Sequence, residues 1–386
     1  MGSRSGPLRP GVMDVLTCRH VFTLEMPERT MATSWMLYGV NGYTGALLLE
    51  EALRQGERPV LAARRKDAVE PLATRHGLEA RVFALEDVDT ITAQLHGVRA
   101  VLHAAGPFGV TSAPMVEACL RAGVHYLDIT GEIAVFEACF ARDAQARERN
   151  VALLPGVGFD VVPSDCLAAT LAAALPGAAS LEMAFATAGG ISRGTTLTAV
   201  TQLGADCLVR RGGAIVPVPL GSLARPVAFR DKTRTVMAIP WGDVSTAFHS
   251  TAIPNITVFL AVPRRAPGVM KLLSASAPLL STRPVQALLE GVVKRAVTGP
   301  NAQQRAAGWT QMWGQVKHAD GRTCTATLVT PEGYALTVLA ALESVKRVAA
   351  PDFAARGFLT PSRAFGADYI THFAGCSLQA GAVTNG

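Results

Sequence analysis

The 386-residue sequence contains no apolar run of the roughly eighteen residues that a membrane-spanning helix requires. Its most apolar segments, Leu167–Leu175 and Val269–Leu280, are bounded or broken by Pro, Lys or Ser. Hydrophobic residues make up 49% of the chain, and Ala supplies much of that share. The composition therefore predicts a cytoplasmic protein with a large core and no membrane-spanning segment.

The seven cysteines are odd in number, scattered along the chain and without any C-x-x-C pair. This spacing argues against a disulfide framework or a zinc site and is typical of reduced, mostly buried thiols. No H-E-x-x-H motif or metal-spaced cluster occurs, so no metal is expected. Lys and Arg, which give a net charge of +6, form only short clusters, and a nucleic-acid partner is therefore not expected.

What the sequence does contain is a glycine triplet of the form G-x-x-G-x-x-G. It follows the short apolar run 35–38 and precedes the amphipathic stretch 46–53. Strand, tight turn and helix are the context of a dinucleotide-binding fingerprint. Its glycines turn the chain, admit the pyrophosphate and pack the helix against the strand. The residues of this turn that we expect to contact the cofactor are Gly39, Asn41, Gly42, Tyr43, Thr44 and Gly45.

The end of the second predicted strand indicates which dinucleotide is bound. When the cofactor is NAD, an acidic residue usually stands here, because it binds the ribose 2′-OH. In this chain the predicted strand Pro59–Ala63 is followed by Arg64, Arg65 and Lys66 instead. A carboxylate would repel a 2′-phosphate, whereas a guanidinium binds it through paired hydrogen bonds. The pattern favours NADP(H), held by Arg64 and Arg65.

Strands and helices alternate from residue 35 to about residue 155, which predicts a doubly wound, parallel Rossmann sheet of the α/β class. Beyond Pro163, β-rich runs predict a second α+β domain built on a mixed, largely antiparallel sheet. Longer helices are expected at Ile133–Arg149, Leu197–Arg210, Met270–Ala296 and Ala335–Val348. The predicted divisions are an N-terminal extension at 1–30, an NADP-binding domain at 31–160, a substrate domain at 161–349, and a C-terminal segment at 350–386 that returns to the Rossmann domain.

Four segments, in this order, resemble the saccharopine dehydrogenase-like oxidoreductases, the broad family that includes bacterial trans-acting enoyl reductases. They are the glycine turn with Arg64–Arg65, the run from Ala104 to Glu132, the turn Gly158–Asp165 and the tail Gly357–Gly366. Together they extend over nearly the whole chain beyond the N-terminal extension. The resemblance implies an NADP-dependent oxidoreductase with a Rossmann domain.

Further site residues are expected where the carboxyl ends of the strands converge, since an open α/β sheet binds its ligand there. Cofactor contacts near the nicotinamide are predicted for Ala105, Gly106, Pro107, Phe108 and Gly131. Glu132 lies at the same edge. It is either a catalytic residue or a carboxylate that supports the helix beginning at Ile133.

Two other residues are catalytic candidates, each with a structural alternative. His103, in the apolar fourth strand, either donates a proton or is a hydrogen-bonded core residue. Arg193, in a loop of the second domain, either meets an anionic or carbonyl substrate or is a solvated cation. The Tyr-x-x-x-Lys couple of short-chain dehydrogenases is missing. The sequence therefore does not identify the proton donor.

Taken together, these features predict an NADPH-dependent reductase that transfers hydride to the C=C bond of an apolar enoyl substrate, free or tethered to an acyl carrier protein. Imine (C=N) reduction of the saccharopine-reductase type is an alternative. A non-catalytic NADP-binding or lipid-associated protein is the alternative from another class, because such folds also serve as sensors and scaffolds. A homodimer is expected.

Overall fold

The computed structural model describes residues 1–2, 35–188, 206–274 and 302–385. The chain divides into a unit Met1–Ala32 and a unit Thr33–Gly386, and the description below concerns the second. The predicted extension at 1–30 therefore lies almost wholly outside the described residues. Within the described ranges, no helix combines the length and the apolar character needed to cross a membrane.

The first sheet has seven parallel strands in the order β15-β6-β5-β4-β1-β2-β3. Labels follow chain order: β1 (Trp35–Tyr38), β2 (Val60–Ala63), β3 (Ala80–Val82), β4 (Ala100–His103), β5 (His125–Asp128), β6 (Ala152–Leu154) and β15 (Gly357–Phe358). The connecting helices are α1 (Tyr43–Arg54), α2 (Lys66–His76), α3 (Val88–Gln94), α4 (Phe108–Ala122), α5 (Ile133–Phe140) and α6 (Asp143–Glu148). The strand order is that of a doubly wound dinucleotide-binding fold, which confirms the predicted Rossmann sheet.

The second sheet runs β10-β11-β12-β7-β13-β14-β16, with the hairpin β8–β9 attached to β12. Its strands are β7 (Ser180–Ala188), β8 (Cys207–Arg211), β9 (Ala214–Val218), β10 (Ala224–Ala228), β11 (Thr233–Ala238), β12 (Asn255–Ala261), β13 (Trp309–Lys317), β14 (Thr323–Pro331) and β16 (Ser377–Ala380). Strands β7 and β12 pair in parallel, and the other pairs of described strands in this sheet are antiparallel. The predicted mixed, largely antiparallel sheet is confirmed.

Helices cover one face of this second sheet and also reach back to the first. They are α7 (Val162–Ala174), α8 (Asp243–Thr251), α9 (Ala266–Ser274), α10 (Ala302–Ala307), α11 (Gly333–Ala349) and α12 (Pro361–Phe365), followed by the 3₁₀ turn Tyr369–His372. Helix α11 buries Leu342 and Val345 in the same core cluster as Leu37 of β1 and Leu61 of β2. The chain beyond α11 then adds β15 to the first sheet and β16 to the second.

Two predicted helices differ from the observed structure. The expected helix Ile133–Arg149 is broken between α5 and α6, and the break allows the Asp143 carboxylate to accept a hydrogen bond from Phe358 N of β15 (2.7 Å). The end of the expected helix Leu197–Arg210 is strand β8 instead, because it forms a hairpin with β9 through Gly212 and Gly213. The remainder of that helix, and most of the one expected at Met270–Ala296, lie outside the described residues.

Candidate functional site

The glycine turn between β1 and α1 leaves no space for side chains at its first and third glycines. Gly39 has a φ of +92°, and a Cβ there would lie 2.8 Å from the Cβ of Ala105. At Gly45 a Cβ would lie 2.2 Å from Gly39 O. The turn is closed by the bond from Gly42 N to Gly39 O (3.0 Å). These contacts explain why glycine is required at positions 39 and 45, as the fingerprint predicts.

The same turn leaves the amino end of α1 open to an anion. Gly42 is the N-cap residue, no side chain caps the helix, and its first turn contains no acidic residue. Asn41 and Gly42 are exposed, while Tyr43 and Thr44 are half-buried. Because the N–H groups and dipole of a helix start favour negative charge, these residues fit the pyrophosphate of a dinucleotide.

The cationic pair predicted to select NADP(H) lies at the carboxyl end of β2. Arg64 and Arg65 are both exposed, and Lys66 begins α2, a helix that the sequence analysis did not predict. Arg65 is 3.6 Å from Asp67, a solvent-exposed contact that is worth little. In the described part of the chain, Arg64 has no hydrogen-bond or ion-pair partner, so its guanidinium is available to a 2′-phosphate.

The loop after β4 lies beside the glycine turn. Ala105 is half-buried against Gly39, Gly106 and Pro107 are exposed, and Phe108 begins α4. The predicted cofactor residues of both loops are thus brought together at the carboxyl edge of β1 and β4, where a parallel sheet binds its ligand.

Glu132 closes the amino end of α4. Its two carboxylate oxygens accept hydrogen bonds from Phe108 N (3.0 Å) and Gly109 N (2.9 Å). Its own backbone N–H is bound by Thr130 Oγ1 (3.0 Å). The expectation that this carboxylate supports the helix at Ile133 is wrong, because the side chain turns away from α5 towards the first turn of α4. Glu132 is thereby a positioning residue for the loop 105–108.

His103 is fully buried and packed between aromatic rings. Its ring stacks on Tyr38 at a centroid distance of 5.4 Å. Thr111 Oγ1 donates to Ala105 O (2.7 Å), so His103 Nε2 donates to the Thr111 oxygen (3.0 Å). Burial lowers the pKa of His103 to about 3. A neutral, enclosed imidazole packs in the core and is a poor proton donor to a substrate.

A carboxylate that was not among the predicted site residues lies beside Gly131. A Cβ on Gly131 would be 2.9 Å from Oδ2 of Asp160. Burial raises the pKa of Asp160 to about 6, and no described residue donates a hydrogen bond to its carboxylate. Carboxyl groups with raised pKa in clefts are candidates for acid–base chemistry. The sequence signal was the turn after β6, but position alone did not separate Asp160 from its neighbours.

Aromatic side chains from both domains lie near Asp160. Trp241 Nε1 donates to Asp160 O (2.9 Å). The Trp241 ring packs on Phe185 at 4.8 Å between centroids, and Phe185 lies edge-on to Phe159 at 6.5 Å. We call Phe159, Phe185 and Trp241 the aromatic wall. It joins the carboxyl edge of β5 and β6 to the second sheet and gives this side of the site an apolar surface.

Other polar residues near the site have structural partners. Asp165, a residue of α7, accepts hydrogen bonds from Ser250 Oγ and from Ser362 N (2.7 Å). Ser164 Oγ donates to Asp243 (2.7 Å). These contacts hold α7 to α8 and α12. The remaining predicted catalytic residue, Arg193, lies outside the described residues.

Comparison with known proteins bears on the first domain. Residues 35–154 match the profile of the saccharopine dehydrogenase NADP binding domain. This part of the chain is similar to the NADP binding domain of saccharopine dehydrogenases. The predicted resemblance and the predicted nicotinamide dinucleotide cofactor are therefore confirmed.

Curated relatives extend the likeness to enoyl reductases. The chain is 30% identical over 143 residues to a trans-acting enoyl reductase of Mycobacterium bovis and 32% identical over 143 residues to one of Mycobacterium leprae. Each match covers 34% of this chain and 33% of the relative. The chain thus matches a third of the length of these relatives.

A solved structure shows the same fold over a longer range. The apo saccharopine dehydrogenase (L-Glu forming) of Saccharomyces cerevisiae superposes with a TM-score of 0.61 at 12% identity. The match covers 91% of this chain and all of the yeast chain. At this identity the likeness concerns the fold, and it includes both sheets.

The Glu132 contact yields a first prediction. Glu132→Gln should lower the free energy of unfolding by about 1–2 kcal/mol, since it removes a charged cap from a helix start. It should also raise the KM for NADPH, because the loop 105–108 loses its support. Urea unfolding and steady-state kinetics measure the two effects.

Glu148→Gln is the matched control, because Glu148 is an exposed residue of α6. If both variants unfold at the same urea concentration, the carboxylate of Glu132 does not stabilise α4.

Proposed function

We propose that this protein is an NADPH-dependent reductase that adds hydride and a proton across the C=C bond of an apolar enoyl substrate. The observation that carries the proposal is the position of Asp160. Its carboxyl, with a pKa of about 6, faces Gly131, and its backbone carbonyl accepts a hydrogen bond from Trp241 of the aromatic wall. A proton donor, an apolar surface and the carboxyl edge of a cofactor-binding sheet thus meet in one place.

Each part of the site has a separate task in this proposal. The nicotinamide cofactor supplies the hydride. The open start of α1 holds the pyrophosphate and Arg64 the 2′-phosphate, while Glu132 fixes the loop 105–108 that borders the nicotinamide. The aromatic wall holds the acyl chain and excludes water. Asp160 keeps a proton at its carboxyl oxygen and gives it to the carbon adjacent to the one that receives hydride.

The enoyl acceptor is supported by the relatives, which are named trans-acting enoyl reductases, and by the apolar character of the wall. An acyl carrier protein as the bearer of the substrate, and a homodimer, are parts of the same proposal. Imine reduction and a non-catalytic role are its alternatives.

A substrate panel separates these possibilities. NADPH oxidation is followed spectrophotometrically with enoyl thioesters, carried by coenzyme A or by a carrier protein, and with cyclic and open-chain imines. We expect turnover of enoyl thioesters. Turnover of imines alone would replace the proposed acceptor, and tight NADPH binding without turnover of any substrate would favour the non-catalytic alternative.

Cofactor preference provides a second prediction. The unsubstituted protein should bind NADPH at least about tenfold more tightly than NADH, the scale of one charge-assisted contact. Arg64→Ala should remove most of that difference, since Arg64 is free to pair with the 2′-phosphate. Fluorescence titration with both cofactors measures it.

Arg75→Ala, which alters an exposed cation of α2, controls for general loss of positive charge. Equal affinities of the unsubstituted protein for NADPH and NADH would contradict the assignment of Arg64.

The pH profile provides a third prediction. A general acid acts in its protonated form, and the protonated fraction of Asp160 falls tenfold per pH unit above its pKa of about 6. We therefore expect kcat/KM to be level below about pH 6 and to fall as the pH rises. Asp160→Asn should lower kcat by roughly 10²- to 10⁴-fold and abolish the falling limb.

Asp352→Asn, at an exposed loop position, is the control and should keep both rate and profile. A falling limb that persists in Asp160→Asn would show that another group donates the proton.

A further inference from the structure

A second buried carboxyl group belongs to a turn that packs against the candidate proton donor. Asp243 is the first residue of α8 and is fully buried. The turn before it contacts the site twice. Trp241 Nε1 donates to Asp160 O (2.9 Å), and a Cβ on Gly242 would lie 3.2 Å from Gly131 O. Because Gly131 also faces the Asp160 carboxyl, the two acids come from turns that pack on the same glycine.

The two carboxyl oxygens of Asp243 differ in their partners. Oδ1 accepts hydrogen bonds from Ser164 Oγ (2.7 Å) and from Thr246 Oγ1 (3.4 Å). Oδ2 is buried as well and has no hydrogen-bond partner among the described residues. An ionised carboxylate with a bare oxygen in such a place would lose its hydration without compensation. A protonated carboxyl group instead places its O–H at Oδ2 and carries no charge.

The nearest charges also favour the neutral form of Asp243. Burial, together with the carboxylates of Asp165 and Asp160, raises the pKa of Asp243 well above its usual range. The hydrogen bonds from Ser164 and Thr246 act in the opposite direction. Asp243 is therefore the member of this group that keeps its proton after Asp160 has lost its own.

The cations that reach α8 are paired with a different carboxylate. Arg210 of β8 donates to Val244 O (2.8 Å) and lies 2.9 Å from Glu137 of α5. His249, in the last turn of α8, lies 3.4 Å from the same carboxylate. In the part of the chain that the structure describes, Asp243 has no ion-pair partner. No cation thus offsets the cost of ionising it.

Asp160 has an acceptor without a donor. Its carboxyl faces Gly131, and no described residue donates a hydrogen bond to it. In the proposed reaction, proton transfer to the substrate leaves a negative charge on this carboxylate. A neutral acid nearby stabilises such an ion by donating a hydrogen bond, directly or through one water molecule.

We propose that Asp243 is a positioning residue, a neutral carboxylic acid whose O–H stabilises the Asp160 carboxylate after proton transfer. In this step the O–H bond of Asp160 breaks, the C–H bond of the reduced substrate forms, and the negative charge stays on Asp160. Asp243 keeps its own proton throughout. Solvent water returns a proton to Asp160 after the product leaves. The assignment rests on the proposed reductase function.

Two substitutions separate hydrogen bonding from charge. Asp243→Leu removes the O–H, so Asp160 becomes a weaker acid. The falling limb of kcat/KM should then move to higher pH by about one pH unit or more, and kcat should fall about tenfold, the scale of a hydrogen bond to a charged group. Asp243→Asn keeps an N–H donor and should return the limb to its original position. Steady-state kinetics with NADPH and an enoyl thioester measure both.

The direction of the movement reports the charge of Asp243. If Asp243 were ionised, its negative charge would raise the pKa of Asp160, and both substitutions would move the limb to lower pH. That result, or an unmoved limb in Asp243→Leu, overturns the assignment. Asp352→Asn, at an exposed loop position, is the control.

Infrared spectroscopy tests the neutral acid without turnover. At about pH 8 the full-length protein should show the carbonyl stretch of a protonated carboxyl group, and Asp243→Asn should reduce this band. An unchanged band overturns the assignment, and this comparison holds even where Asp243→Leu does not fold. Failure to turn over any substrate would contradict the proposed function and leave the infrared result in place, so the two failures are distinguishable.

Discussion

A parallel sheet brings the amino ends of its helices to one edge, and in this structure two of those ends differ in how they are capped. Glycines leave the start of α1 without a cap, while the carboxylate of Glu132 occupies the start of α4. Both ends carry N–H groups that have no partner within their own helix, and both carry the positive end of a helix dipole. One therefore stays available to an anionic ligand, and the other is neutralised within the protein. The distinction supports the proposal that the pyrophosphate binds at α1 and that uncharged groups bind near α4.

The geometry of this edge depends on a buried carboxylate at the end of β5. Asp128 accepts hydrogen bonds from Tyr126 Oη (2.6 Å), Thr130 N (3.0 Å) and Gly156 N (2.8 Å). Burial raises its pKa to about 6, while these three donors favour the ionised form. The contacts join the loops that follow β5 and β6. They therefore set the distance between Gly131, on the first loop, and the carboxylate that faces it from the second.

Local patterns predicted the elements whose contacts are local. The glycine turn and the alternation of strands predicted the Rossmann sheet, because the close contact of Gly45 with Gly39 O lies within the turn and β1 is a run of apolar residues. Strand β8 was predicted as helix, because contacts beyond its own sequence determine its conformation. It pairs with β9, and its Arg210 is buried and donates a hydrogen bond to Val244 O (2.8 Å).

Roles within the site were harder to predict for the same reason. Glu132 was placed at the correct edge, but its helix partner was assigned by sequence proximity, and the nearer helix was the wrong one. His103 has the residue type of a proton donor, yet burial against Tyr38 removes its charge. Asp160 gains its raised pKa from burial in the folded chain, which its position in the sequence does not reveal.

The second domain contributes to the site mainly by excluding water. An aspartate on an open loop would ionise at its ordinary pKa and could not hold a proton near neutral pH. Here the indole of Trp241 donates a hydrogen bond to the backbone carbonyl of Asp160, and the same ring packs on Phe185 of the aromatic wall. Burial raises the pKa of the Asp160 carboxyl, because loss of water disfavours its charged form. In the proposed reaction, an acyl chain bound against the aromatic wall would remove further water from this edge and would favour the protonated form of Asp160 still more.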